Sequence, residues 1–201
     1  LVLPPKIAAT QVVICSIGTK DQSENEKVNA KAQQIADTLL AAGVKVKVDI
    51  SDLRPGEKFF GWEKKGVPVR VEIGPKDLAA GTVVLVRRDT GDKATVDVED
   101  VAVEIAKLLE MIQKDLFDKA LKMRQERTKV VDTWDDFVKE IEAGNFVLAH
   151  WCGDAVVEAQ IKEETGATIR CLPFDEEGKG EGKCIKNGEP SKQRVVFAKA
   201  Y

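Results

Sequence analysis

Two short stretches, QVVICSI (residues 11–17) and TVVLVRR (82–88), limit the folds open to this chain more than any other feature. Each is built on a continuous apolar run rich in β-branched residues, with no polar face. A strand of that kind has both faces covered, which places it at the centre of a sheet. VKVKVDI (44–50) and VPVRVEI (67–73) alternate instead, with Val44, Val46, Val48, Ile50 and Val67, Val69, Val71, Ile73 on one face. The alternation predicts half-covered strands, with Arg70 and Glu72 pointing away from the core.

Between the first two strands, Ser23 and Glu26 form an S-x-x-E capping box. Val28, Ala32, Ile35, Ala36, Leu39 and Leu40 then recur at helical spacing until Gly43. These are the marks of an amphipathic helix with a defined start and stop. Strand, helix and strand in this order imply a right-handed βαβ unit and a sheet with parallel character. After the fourth strand, Val101, Ile105, Leu108, Leu109, Ile112 and Leu116 mark a long helix continuing through KMRQERTK. A second unit follows: a helix capped at Thr133 and ended at Gly144, the strand FVLAH, and a short helix near VVEAQIKEETG. The strand ATIRCLP, a glycine-rich loop and a last strand RVVFAKAY complete it. The expected organisation is a linker over 1–10, one domain over 11–130 and a second over 131–201, dividing near 128–132 where the long helix gives out.

At 201 residues, 43% hydrophobic and 32% charged, the chain has the length for one generous domain or two small ones. No window approaches the ~18 apolar residues of a membrane helix. The opening LVLPPKIAAT lacks the basic end, apolar stretch and cleavage site of a signal peptide, so a cytoplasmic location is expected. Leu1 and the linker-like LPPK suggest a piece of a longer protein. A net charge of −3 argues against indiscriminate nucleic-acid binding, which needs clustered cations. Locally the balance reverses: from Arg54 to Asp77, Arg54, Lys58, Lys64, Lys65, Arg70 and Lys76 outnumber Glu57, Glu63, Glu72 and Asp77.

The same stretch gathers Phe59, Phe60 and Trp62 among charged residues, in a chain only 5% aromatic. Such rings either plug one end of the sheet or stack on unpaired bases, worth ~1–3 kcal/mol per base, while neighbouring cations hold the backbone. Both readings stand at this point.

Other candidates read more plainly. GKGEGKCIKNG has glycines but leads into a polar turn and a strand, so it reads as a flexible hairpin rather than a phosphate loop. His150 and Cys152, two apart around a strand end, diverge too far for a base and its nucleophile, which leaves His150 structural. Cys15 lies within an apolar run and reads as a core residue. Cys152, Cys171 and Cys184 are isolated thiols without the paired spacing of a structural zinc site.

Four separated stretches, LVLPPKIAATQVVI, RPGEKFFGWEKKGVPVRVEIGPKD, ETGATIRCLPF and RVVFAKAY, together resemble the C-terminal part of prolyl-tRNA synthetase, in its archaeal/eukaryotic-like class II form. The resemblance implies an α/β fold: a class IIa anticodon-binding domain, a mixed sheet flanked by helices, followed by a small α+β C-terminal domain. It implies tRNA(Pro) as partner, and a catalytic core, using ATP and Mg, elsewhere in the same chain. The parent is then expected to be a homodimer without DNA or membrane partners, and this piece to bind rather than catalyse. Every proline anticodon carries two guanines, and a guanine edge offers two N–H donors beside a carbonyl acceptor. By the family's motif Phe59 is a stacking platform, Glu63 and Asp77 accept from guanine, and Arg70 and Lys76 donate to carbonyl, N7 or phosphate. Of the family's four zinc-binding cysteines, two positions match Cys152 and Cys184, while Val157 and Asn187 hold the others and Cys171 matches none. No zinc is therefore expected. Tyr201 matches the family's terminal tyrosine, which folds back toward the catalytic site.

Two other classes remain open on the residues alone. One is a small flavodoxin-like redox protein using Cys15 or AHWCGD, although SIGTKDQSEN has a single glycine where such a fold needs a phosphate cradle. The other is a stand-alone α/β interaction module.

Overall fold

The computed structural model describes residues 1–174 and 178–200. Tyr201 lies outside them. The chain divides into two compact units, Leu1–Lys119 and Ala120–Tyr201.

In the first unit the strands are β1 (Val12–Ser16), β2 (Val46–Asp49), β3 (Val69–Ile73), β4 (Thr82–Arg87) and β5 (Lys93–Asp97). Their order is β2-β1-β3-β4-β5, with β1 parallel to both β2 and β3, and β3–β4 and β4–β5 antiparallel. The helices are α1 (Gln22–Ala41), α2 (Pro55–Lys64), α3 (Pro75–Ala80) and α4 (Val101–Glu126), whose residues from Ala120 onward belong to the second unit. The mixed α/β architecture and the parallel βαβ opening are those expected. On one face of the sheet Val12, Ile14, Val69, Val71 and Leu85 pack with Ile35 and Leu39 of α1 and Ile105 and Ile112 of α4. The other face carries Val13, Cys15 and Val67, against which α2 lays Phe59 and Trp62.

Several local readings need correction. Asp21, not Ser23, caps α1: its carboxylate accepts from the N–H groups of Ser23 (2.8 Å) and Glu24 (3.2 Å). The helix thus starts two residues earlier than expected, and the aspartate there satisfies its first free N–H groups with a full charge at the positive end of the helix dipole. Leu40, assigned to the apolar stripe, is exposed. The largest difference is β3. It is not half-covered but the middle strand of five, and Glu72 is only 8% exposed. Alternation arises here because the second face holds a paired charge cluster under α2 rather than water. α3 and β5 have no expectation to meet, since PKDLAA is a helix of under two turns and KATVD has one large apolar residue in five.

The second unit contains β6 (Thr128–Val130), α5 (Trp134–Glu142), β7 (Phe146–His150), α6 (Ala155–Thr165), β8 (Ala167–Cys171), β9 (Lys179–Lys183) and β10 (Pro190–Lys199). The sheet runs β6-β7-β10-β8, and β9 pairs with β10. α5 is capped at Thr133, whose hydroxyl accepts from the Asp136 N–H, and Gly144 follows it at φ 77°, as the sequence indicates. Phe137 meets Phe197 edge-on at 5.1 Å and Trp134 stacks on Phe137 at 5.2 Å, inside a core with Ile141, Val195 and Val157. The glycine-rich segment supplies β9, one arm of the expected hairpin. Among the described residues no helix is long and apolar enough to cross a membrane.

Candidate nucleic-acid interface

The aromatic stretch is a helix, and helical spacing sorts its rings. α2 opens with Pro55, favoured at a first helical position, and Glu57 reaches back to the Arg54 N–H at 3.1 Å. Three residues apart, Phe59 and Trp62 fall on the inward face, while Phe60 turns outward, 58% exposed, with the Lys64 ammonium 4.5 Å over its ring. The helix is pinned beneath by Lys58, 4% exposed, whose Nζ donates to the carbonyls of Ser16 (2.8 Å) and Asp49 (3.3 Å). The Asp49 carboxylate accepts from Trp62 Nε1 at 2.6 Å. Burial works to raise the Asp49 carboxyl, but hydrogen bonds from Ser51 and Trp62 outweigh it and hold the group below the ordinary range. Two of the three rings are thus part of the sheet's cover.

That cover sets the geometry of Arg70. Its guanidinium stands 4.1 Å over the Phe59 ring. Nη1 donates to Glu63 Oε1 at 2.9 Å, and Nε and Nη2 reach Glu72 Oε1 at 3.0 and 2.9 Å. Lys93 Nζ from β5 approaches the same Glu72 oxygen at 3.5 Å. A carboxylate on each side and a ring beneath fix the plane of the guanidinium, which lowers the entropy lost when it meets a planar partner. Glu63, 40% exposed, keeps its second oxygen clear of the ion pair, so it can accept from a further donor.

Phe59, Glu63 and Arg70 are therefore brought together in direct contact. Lys76 and Asp77 are not joined to them by any hydrogen bond or ion pair among the described residues. They open α3 beyond the end of β3: Asp77 Oδ2 accepts from the Gly74 N–H at 2.8 Å, and Lys76 is exposed. Asp77 thus has a capping role in addition to any other. Sequence reasoning left out Glu72 and Lys93 as members of this cluster. Glu72 had a signal, since i and i+2 on one strand share a face with Arg70. Lys93 had none, because only the β4–β5 pairing carries it there.

Beside the cluster lies a cleft of about 280 Å³ lined by Trp62, Glu63, Arg70, Arg88 and Lys93, with Val67 and Val86 on its floor. Arg87 and Asp89 also border it. Arg87 donates to Asp89 and Asp115, each at 2.7 Å, and these bonds raise its already high pKa.

The other candidates resolve as structural. Cys15 is fully buried, and burial first, with Asp49 second, pushes its thiol up to about 12, so it offers no thiolate at neutral pH. The N–H groups at the start of α1, which a flavodoxin-like phosphate would need, are already bonded to the Asp21 carboxylate. The redox alternative is not favoured. His150 is buried, with Nδ1 3.2 Å from Ser191 Oγ, and burial and the nearby Arg194 lower its pKa. At the four positions that the resemblance assigns to zinc, Cys152 and Cys184 neighbour each other, Asn187 directs its amide N–H at Cys152 Sγ (4.0 Å), and Val157 is packed in the core. Two thiols, an amide donor and an isopropyl group do not fit a tetrahedral structural zinc, which needs four lone-pair ligands. Among the described residues no group of three His, Cys, Asp or Glu could hold a metal.

The sequence that builds this sheet and its arginine cluster matches a known family model. Residues 11–108 fit the anticodon binding domain, and this unit is such a domain. Residues 134–201 fit the model for the C-terminal region of prolyl-tRNA synthetase, so the chain joins an anticodon-binding domain to a prolyl-tRNA synthetase C-terminal domain. Along its whole length it is 48% identical to a proline–tRNA ligase of Phocaeicola vulgatus and 47% identical to those of Porphyromonas gingivalis and Chloroherpeton thalassium. It spans 41% of the first two relatives and 43% of the third.

Proposed function

We propose that this chain is the tRNA-binding part of a proline–tRNA ligase and that the surface around Arg70 reads the guanines of the proline anticodon. The observation that carries this reading is the Arg70 guanidinium, laid on Phe59 at 4.1 Å and held between Glu63 and Glu72. Glu63 accepts the N–H donors of a guanine edge. Arg70 donates to a carbonyl or N7, and Phe59 adds stacking surface together with the guanidinium on it. Lys76 and Asp77 serve a second nucleotide at the start of α3. The parent joins proline to tRNA(Pro) with ATP through a catalytic part outside this chain, works in the cytoplasm as a homodimer, and takes neither DNA nor membrane as partner. The chain alone activates no proline.

Binding to proline tRNA and to its anticodon mutants at one stated salt concentration tests the reading. Glu63→Gln and Arg70→Lys keep the local volume but lose an acceptor charge or the fork, and each weakens cognate binding by ~1–3 kcal/mol while lowering the preference for GG. Lys45→Ala leaves binding unchanged. Folded variants that discriminate as well as the parent would refute the assignment.

A further inference from the structure

The cleft beside Arg70 contains four cations, and three have carboxylate partners. Arg70 is held by Glu63 and Glu72, Arg87 by Asp89 and Asp115, and Lys93 lies 3.5 Å from Glu72. Arg88 differs. Its side chain's only polar contact among the described residues is Nε to the Glu63 backbone carbonyl at 3.5 Å, and that carbonyl already accepts the Gly66 N–H at 3.0 Å. The side chain is half-buried against the cleft, at the carbonyl end of α2, where the helix dipole favours a cation. Its backbone is fixed, since the Arg88 N–H donates to the Pro68 carbonyl at 2.9 Å at the start of the β4–β5 turn. The protein thus places a guanidinium with both terminal nitrogens unused on the rim of a walled pocket next to the proposed reading cluster.

We infer that Arg88 takes a phosphate of the anticodon strand, seating the nucleotide that neighbours the guanine read by Glu63 and Arg70. The inference rests on the anticodon-reading surface proposed above and goes beyond it: Arg88 positions and does not discriminate. A guanidinium without a carboxylate matches a phosphodiester, whose two oxygens accept the fork from Nη1 and Nη2. A neutral base edge would leave that charge uncompensated. The cleft at about 280 Å³ is small for a whole nucleotide but ample for a phosphate and part of its sugar.

The test compares Arg88→Gln and Arg88→Lys with the parent chain, measuring affinity for proline tRNA and for its anticodon mutants over a range of salt. Arg88→Gln should weaken binding to every tRNA by the same factor and reduce the slope of log affinity on log salt by about 0.7, the value for one phosphate on a single strand. Arg88→Lys should restore the slope. Neither variant disturbs an ion pair, so folding is retained. If Arg88→Gln leaves affinity and slope unchanged, or lowers the preference for GG with the slope intact, the phosphate role is overturned. Should the parent bind tRNA without any anticodon preference, the reading surface fails, while the uniform loss and altered slope still decide the role of Arg88. A parent that binds no tRNA overturns both.

Discussion

The glycine at position 182 gives a sharp test of how the second unit is built. Gly182 lies on β9 where the strand crosses His150. A Cβ built there would sit 2.3 Å from His150 Nε2, 2.4 Å from Cδ2 and 2.7 Å from Cε1. Ordinary contacts between such atoms are about 3.5–4.0 Å, so Ala overlaps the ring by about 1 Å or more. No backbone strain enters, because Gly182 is not among the glycines with positive φ. The ring cannot move freely, being 6% exposed and 3.2 Å from Ser191 Oγ. Gly182→Ala therefore combines overpacking, ~1–3 kcal/mol, with loss of one buried hydrogen bond, ~0.5–1.5 kcal/mol. The expected destabilisation is about 2–4 kcal/mol, measured by urea unfolding with hydrogen exchange in β7 and β10 reporting on this unit. The cost should all come from the ring. In a His150→Ala background, Gly182→Ala should cost below about 1 kcal/mol, a coupling that only a direct contact produces. Equal costs in the two backgrounds would refute the argument, as would a Gly182→Ala chain as stable as the parent.

Two further outcomes follow from buried titratable groups. His150 has its folded pKa lowered from 6.5, burial being the largest cause. The unfolded chain therefore takes up a proton near 6.5 while the folded one does not, so stability is full above that pH, declines as pH falls through it, and levels off below the folded value. A pH series of urea midpoints checks this, and His150→Gln should remove the decline. Among the thiols, Cys171 is exposed and Cys15 and Cys184 are buried, with Cys15 pushed up to about 12. A neutral alkylating reagent at pH 7.5 should label Cys171 first and reach Cys15 only after unfolding, which mass spectrometry of a time course would show.

The elements that the sequence makes legible are those whose signal is local. Gly43 and Gly144 at positive φ end α1 and α5, Thr133 caps α5, and the apolar run of β1 does lie inside the sheet. What escapes is anything decided by a partner distant in sequence. VPVRVEI alternates as a half-covered strand does, yet β3 is central, because α2 returns across its second face and carries Phe59 and Glu63 onto Arg70. The pleat tells which side chains share a face and says nothing of what lies over it. The same limit applies to the site. Alternation turned Arg70 outward from the apolar face, and the family resemblance supplied Phe59 and Glu63, but Lys93 and Arg88 reach the cluster only through the β4–β5 hairpin, whose second strand has almost no apolar signal.

Pairing also determines how charge is divided across this surface, and that division carries the functional argument. Arg70 and Lys93 face Glu63 and Glu72, two charges of each sign, so the cluster proposed to read the anticodon is neutral as a whole. A neutral cluster of fixed donors and acceptors suits a base edge, which is itself uncharged, because binding then exchanges hydrogen bonds without leaving a buried charge unpaired. An excess cation within the cluster would favour any phosphate over the correct base and blunt discrimination. The uncompensated charge stands instead at Arg88, beyond α2's end, where in the role proposed for it attraction for an RNA backbone would add affinity without touching base choice.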